Sequence, residues 1–187
     1  VLFRSLSHLH FDHAGGVCDL CGAEVHIQAD ELAAASMSDD QAYFDNEVLA
    51  QESWVVKEGE YDLSLGVSAI STPGHTAGHM SLWIEMPKGR PVILAGDAAD
   101  LMENIEDEIA PGNCWQNQTG LAIESIRKIK KLALTTTKPV EGLKNAPFIL
   151  NNDTPLYVTK KSLLISLFKL SYSDFTNLLN TDLIEKW

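Results

Sequence analysis

The stretch "SHLHFDHAGG" (Ser7–Gly16) places three of the chain's six histidines and an aspartate within six residues. The residues before it are apolar enough to predict a strand that directs His8 and His10 to one side, because alternate residues of an extended chain share a face. Asp12 and His13 then fall at the turn into the next element, where a Gly-Gly pair lets the backbone pass close to them. The stretch therefore predicts a metal-binding cradle, and its imidazole and carboxylate groups suit zinc, iron, manganese or cobalt.

Two later stretches supply further candidate ligands. "STPGHTAGHMSL" (71–82) places His75 just after a strand end, at a Pro-Gly turn. "ILAGDAAD" (93–100) places Asp97 at the end of an apolar strand, where a buried carboxylate is unfavourable unless it is paired or bound to a metal. His26, in "EVHIQ", is expected to be a core or edge histidine and not a ligand. In sequence order with the first stretch, His75 and Asp97 complete a plausible ligand set.

Composition excludes several classes of function. The 187 residues are 45% hydrophobic and 21% charged, which predicts a globular chain with one sizeable core. The longest apolar run is far shorter than the roughly 20 residues of a membrane-spanning helix. A net charge of -12 argues against a nucleic-acid partner. Three cysteines without a recognisable signal peptide predict reduced thiols in a cytoplasm, and the Cys18–Cys21 pair has no second pair to complete a zinc site.

Charge divides the chain near residue 134. Residues 1–134 carry 21 acidic and 8 basic residues, a net of -13, whereas residues 135–187 carry 5 acidic and 6 basic residues, a net of +1. All six histidines lie in the first part. We therefore predict a domain over 1–134 and a divergent C-terminal segment of uncertain structure over 135–187.

The first part predicts a layered α/β sandwich, because strands and helices are mixed along it. Strands are expected over 23–28, 67–74, 79–86 and 91–97, and helices over 29–37 and 119–134. Asp30 is the expected N-cap of the first helix. In the second helix the spacing predicts an inward face of Ala122, Ile126, Ile129 and Ala133.

The three quoted stretches resemble the metallo-β-lactamase superfamily. Together with "ENIEDEIAPG" (103–112) and "AIESIRKIKKLA" (122–133), their sequences are most similar to the N-acyl homoserine lactonase branch, over about residues 6–133. The resemblance implies an αββα sandwich. The family has several strands before the HxHxDH motif and this chain has seven residues there, so we expect a partial sandwich that lacks its first strands. We also expect divergence or a frameshift after about residue 134.

The resemblance also implies a dinuclear site with two divalent ions, zinc first among them. One ion would be held by His8, His10 and His75, a second by Asp12 and His13, with Asp97 bridging the two and His79 behind the ligands. A metal-bound hydroxide would attack the lactone carbonyl, and Asp12 would carry a proton to the leaving alkoxide.

The chain departs from this pattern at two positions. The family's second metal takes one more histidine after the long helix, and this chain has no histidine after His79. Asn152 or Asp153 is the alternative ligand in that region. Lactonases of this branch also have a tyrosine three residues beyond the bridging aspartate, where this chain has Asp100, which cannot donate a hydrogen bond when ionised.

The leading functional hypothesis is a metal-dependent hydrolase whose parent protein opens N-acyl homoserine lactones and so degrades a quorum-sensing signal. One alternative is a thioester hydrolase resembling glyoxalase II, which shares "TPGHTxGH", and another is a catalytically impaired metal-binding fragment. The expected partner is a small lactone or ester, with no nucleic acid and no membrane, and the oligomeric state is left open. Met37, Phe44 and Trp54 are candidates for an acyl pocket or for ordinary core packing.

Overall fold

The structure of the protein is a computed structural model. It describes residues 3–17, 24–43, 54–85, 91–134 and 157–158. The strands are β1 (Phe3–Ser5), β2 (Glu24–Gln28), β3 (Trp54–Lys57), β4 (Tyr61–Ser64), β5 (Val67–Ser71), β6 (Met80–Ile84), β7 (Val92–Leu94) and β8 (Tyr157–Val158). The α-helices are α1 (Phe11–Ala14), α2 (Ala29–Met37), α3 (Met102–Glu106) and α4 (Thr119–Leu134).

The strands form two sheets. The first has the order β1-β2-β3 and is parallel. The second has the order β4-β5-β6-β7-β8, antiparallel from β4 to β7 and parallel between β7 and β8. The loop after β1 meets the start of β6, where the Met80 amide donates to the Ser7 carbonyl oxygen at 2.9 Å. This contact joins the two sheets beside the candidate ligands.

Each sheet is covered by a helix, and the mixed α/β fold is confirmed. Helix α2 packs on the first sheet, where Val25 and Ile27 are buried with Ala35. Helix α4 packs on the second sheet through an apolar face that is buried as its spacing predicts. That face consists of Ala122, Ile126, Ile129 and Ala133.

Two local predictions need correction. Asp30 is not the N-cap of α2, because the helix begins at Ala29 directly after β2 and the capping position is Gln28. The side chain of Gln28 donates instead to the carbonyl of Gly59, at 2.8 Å. The strand before the ligands ends at Ser5, so His8 and His10 lie in a loop and not on the strand itself. The long helix spans Thr119–Leu134, as predicted.

The C-terminal segment lies outside the described residues, apart from β8. The predicted boundary at residue 134, Asn152 and Asp153 therefore stay predictions. No helix within the described ranges is long and apolar enough to cross a membrane.

Candidate metal centre

The candidate ligands come from four parts of the chain that meet at one end of the sheets. His8 and His10 lie in the loop after β1, and His13 lies in the short helix α1 that follows. His75 lies in the loop between β5 and β6. Asp97 lies in a 3-10 turn, Gly96–Ala98, directly after β7. Four of these five side chains are buried, and His13 is partly buried.

His8, His10 and His75 form the first ligand group. Their ligand atoms lie within 4.8 Å of one another. His10 Nδ1 lies 3.1 Å from His75 Nε2. His75 donates its Nδ1–H to the carbonyl oxygen of Asn113 at 3.1 Å, which leaves the Nε2 lone pair facing the centre of the group.

His8, His13 and Asp97 form the second ligand group, again within 4.8 Å of one another. Asp97 Oδ1 lies 3.3 Å from His13 Nε2. The other carboxylate oxygen faces the first group, with Oδ2 at 3.4 Å from His75 Nε2 and 3.9 Å from His8 Nε2. The carboxylate thus stands between the two groups, the place that a bridging ligand requires.

The donor atoms fit divalent metal ions of the zinc class. Two ligand atoms on one tetrahedral zinc lie about 3.4 Å apart at ordinary bond lengths. The spacings between His10 and His75 (3.1 Å) and between His75 and Asp97 (3.4 Å) are close to that value. His8 Nε2 is buried and has no hydrogen-bond partner within the described part of the chain. An unsatisfied buried ring nitrogen is costly unless a ligand occupies it.

Burial favours the neutral form of His8 and His10, which is the form that binds metals. Burial, with the neighbouring imidazoles His79 and His13, holds the pKa of His8 well below its usual range. Burial and His75 lower the pKa of His10 to about 4. At neutral pH the ring nitrogens therefore offer lone pairs and not charges.

His79 lies behind the ligands in a chain of four hydrogen bonds. Ser81 Oγ donates to the Ala95 carbonyl at 2.9 Å, so the Thr72 hydroxyl must donate to Ser81 Oγ, at 2.8 Å. Thr72 Oγ1 then accepts from His79 Nδ1–H at 2.9 Å. His79 Nε2 accepts the backbone N–H of Asp97 at 3.2 Å. Both ring nitrogens of His79 are occupied, which agrees with a supporting role and not with ligation.

Asp12 lies at the edge of the centre. Asp12 Oδ2 is 3.6 Å from His13 Nε2, and the Asp12 side chain is 38% exposed. Asp12 belongs to neither of the two ligand groups found among the described residues. Asp100 is partly buried three residues beyond Asp97.

Six residues singled out in the sequence lie away from the centre or outside the described residues. His26 contacts Glu24, at 3.7 Å, on β2. Trp54 packs against the core of the first sheet, and Met37 is exposed on α2. Phe44 lies outside the described residues, as do Cys18 and Cys21.

Sequence reasoning missed Glu31, which is fully buried beside both ligand loops. Its carboxylate accepts hydrogen bonds from the backbone N–H of Leu9 and of Gly78, each at 2.9 Å. A signal for it was present in the sequence, because the apolar residues Ala34 and Ala35 follow Glu31 at helical spacing. A carboxylate within the apolar stripe of a helix indicates a buried polar contact.

The fold and the two ligand groups agree with the family comparison. The profile of the metallo-beta-lactamase superfamily matches residues 5–139. The chain belongs to this superfamily.

Named relatives lie among bacterial lactonases. The chain is 37% identical over 140 residues to an N-acyl homoserine lactonase of a Bacillus species, which covers 75% of this chain and 54% of the relative. It is 30% identical over 139 residues to the N-acyl homoserine lactonase AttM of Rhizobium radiobacter, covering 67% of this chain and 50% of the relative.

A solved structure gives the same picture. It is an N-acyl homoserine lactone hydrolase with the product N-hexanoyl-L-homoserine bound at its catalytic metal centre. It superimposes with a TM-score of 0.62 at 35% identity, over 71% of this chain and 51% of that one. The chain thus spans about half the length of the relatives it matches.

Proposed function

We propose that the protein to which this chain belongs is a dinuclear metal hydrolase that opens the lactone ring of N-acyl homoserine lactones. The observation that carries the proposal is the placement of Asp97 between two ligand groups that share His8. The names of the relatives supply the substrate class. A cytoplasmic location, inferred from the cysteines, and a small lactone as partner belong to the same proposal.

The residues of the chain would have the following roles in metal binding and catalysis. His8, His10 and His75 would hold one ion, and His13 with Asp12 would hold the other, with Asp97 shared. Two bound ions, zinc first among the candidates, would supply an acidified water and polarise the lactone carbonyl. Asp12 is exposed enough to reach substrate and would carry a proton to the leaving alkoxide. Asp100 receives no role at the carbonyl, because an ionised carboxylate cannot donate to an oxyanion.

The test measures bound metal and turnover on the same protein. Metal equivalents per chain are measured after zinc loading, and acid release is followed with an N-acyl homoserine lactone and with S-acyl glutathione. We expect about two equivalents and faster turnover of the lactone. His75→Ala should remove the first group's binding, whereas His26→Ala, which lies outside both groups, should leave metal content unchanged.

Each alternative has its own outcome. Faster turnover of the thioester would replace the lactonase proposal with the glyoxalase II-like reaction. One equivalent or fewer, with no turnover of either substrate by the loaded protein, would instead identify an impaired metal-binding protein.

A further inference from the structure

Glu31 is a buried carboxylate that the proposed reaction does not use. Its side chain is fully buried in the first turn of α2. Oε1 accepts from the Leu9 N–H at 2.9 Å and from the Tyr43 hydroxyl at 3.3 Å, and Oε2 accepts from the Gly78 N–H at 2.9 Å. Burial raises the pKa of Glu31, and the hydrogen bonds that it accepts oppose this effect. The three donors use both carboxylate oxygens as acceptors.

The partners of Glu31 lie beside the ligands. Leu9 stands between His8 and His10 in sequence, so a bond to its N–H holds the backbone that carries both rings. Gly78 is three residues beyond His75, in the loop that carries it. One side chain therefore ties together the two loops that supply the first ligand group.

The approach of the second loop to α2 is close enough to need glycine. A Cβ on Gly78 would lie 2.4 Å from the backbone nitrogen of Glu31. Tyr43 adds a third contact, because its ring packs on His10 with centroids 4.9 Å apart. Tyr43 also forms an isolated bridge with His10. The carboxylate and its partners thus contact both loops of the first ligand group, and Tyr43 contacts His10 itself.

We propose that Glu31 is a positioning residue that sets the separation between the loop of His8 and His10 and the loop of His75, and thereby sets metal affinity at the first ligand group. The inference rests on the proposed metal centre. The distance that Glu31 would control is the 3.1 Å between His10 Nδ1 and His75 Nε2, one atom from each loop. The carboxylate offers one acceptor oxygen to each loop, whereas an amide has only one oxygen, so the carboxylate fixes this spacing better than an amide would.

The test replaces the carboxylate by its amide. Glu31→Gln keeps the shape but places an NH2 group against either the Gly78 N–H or the Leu9 N–H. One of the two loops is then released. Asp30→Asn is the matched control, since it makes the same chemical change at an exposed neighbour in the same helical turn.

Cobalt(II) is the probe, because its visible spectrum reports the geometry of its ligands. The dissociation constant is measured by competition with a chelator, and the spectrum is recorded at saturating cobalt. For Glu31→Gln we expect about 10- to 100-fold weaker binding and an altered spectrum. Asp30→Asn should match the wild type in both. A residue that only stabilised the fold would lower the unfolding midpoint without changing the spectrum of the saturated protein.

A second variant serves if Glu31→Gln does not fold. Tyr43→Phe removes one of the three donors and leaves both backbone bonds in place, so we expect roughly 3- to 10-fold weaker cobalt binding. If Glu31→Gln folds and binds cobalt with wild-type affinity and spectrum, the role proposed for Glu31 is overturned, while the metal centre is not. The same result in Tyr43→Phe has the same meaning if Glu31→Gln does not fold. Failure of the wild type to bind cobalt would overturn the metal centre itself, and the role of Glu31 with it.

Discussion

Replacing His79 by phenylalanine should destabilise the metal-free protein without removing a metal site. The phenyl ring fills the space of the imidazole but offers neither a donor nor an acceptor. The backbone N–H of Asp97 then loses its acceptor at 3.2 Å, and Thr72 Oγ1 loses its donor at 2.9 Å. Thr72 can still donate to Ser81, so the rest of the chain of hydrogen bonds stays intact.

The size of the effect follows from the burial of these groups. Asp97 and Thr72 are both fully buried. A buried donor left without a partner costs about 1–3 kcal/mol, and the lost bond at Thr72 adds about 1 kcal/mol. We therefore expect His79→Phe to lower the free energy of unfolding by about 2–4 kcal/mol. Metal affinity should fall by about 10- to 100-fold, because the turn that carries Asp97 is no longer held.

Urea unfolding in the presence of chelator measures the first effect, and metal titration measures the second. His79→Gln is the matched control, since its amide keeps one donor and one acceptor and should lose less than half as much stability. The number of metal equivalents at saturation should equal that of the wild type for both variants. Loss of one equivalent in His79→Phe would show that His79 is a ligand. Equal destabilisation by Phe and Gln would refute the assigned hydrogen bonds.

Three further predictions concern pH, packing and catalysis. The pKa values of His10 (about 4) and His79 (about 3) lie below that of an unfolded histidine, so the unfolded chain binds more protons and stability falls as the pH drops below about 6.5. In the metal-free protein, the two histidines should together lower the free energy of unfolding by up to about 3 kcal/mol per pH unit between pH 6 and 4. A urea midpoint that does not change over this range would contradict the prediction. Gly74→Ala should lower the free energy of unfolding by about 3 kcal/mol or more, because φ is +135° and the new Cβ would lie 2.4 Å from the backbone of α4. Gly120→Ala, which has open space around its Cβ, is the control and should be neutral or stabilising in the same thermal melts. Asp12→Asn should lower lactone turnover about 100-fold while first-group metal affinity is kept, and unchanged kcat would remove Asp12 from the reaction.

The residues of the two candidate ligand groups could be picked out from the sequence because their chemistry is encoded locally. Four residues of metal-binding types occur within six positions, and His75 and Asp97 each follow a strand that the sequence pattern identifies. Helix α4 was predictable for a similar reason, since its buried face repeats at helical spacing. Local pattern suffices where one segment supplies the whole signal.

The supporting contacts were not predictable because each joins distant parts of the chain. Glu31 and Gly78 are 47 residues apart, and His75 meets the Asn113 carbonyl 38 residues away. The Asp30 cap failed for a related reason, since the helix starts directly from β2 and leaves no separate capping residue. Propensity indicates that an element starts nearby, and tertiary contacts decide where.

The distribution of hydrogen bonds explains how several imidazoles can lie together as neutral rings. His79 uses both ring nitrogens within the protein, and His75 uses Nδ1 on the Asn113 carbonyl. His8 keeps Nε2 without a partner in the described ranges, and that atom lies in both ligand groups. Because burial already keeps His8 and His10 neutral, metal binding near pH 7 need not expel protons from them. The protein thus pairs the nitrogens that orient the rings and leaves lone pairs where a metal would bind.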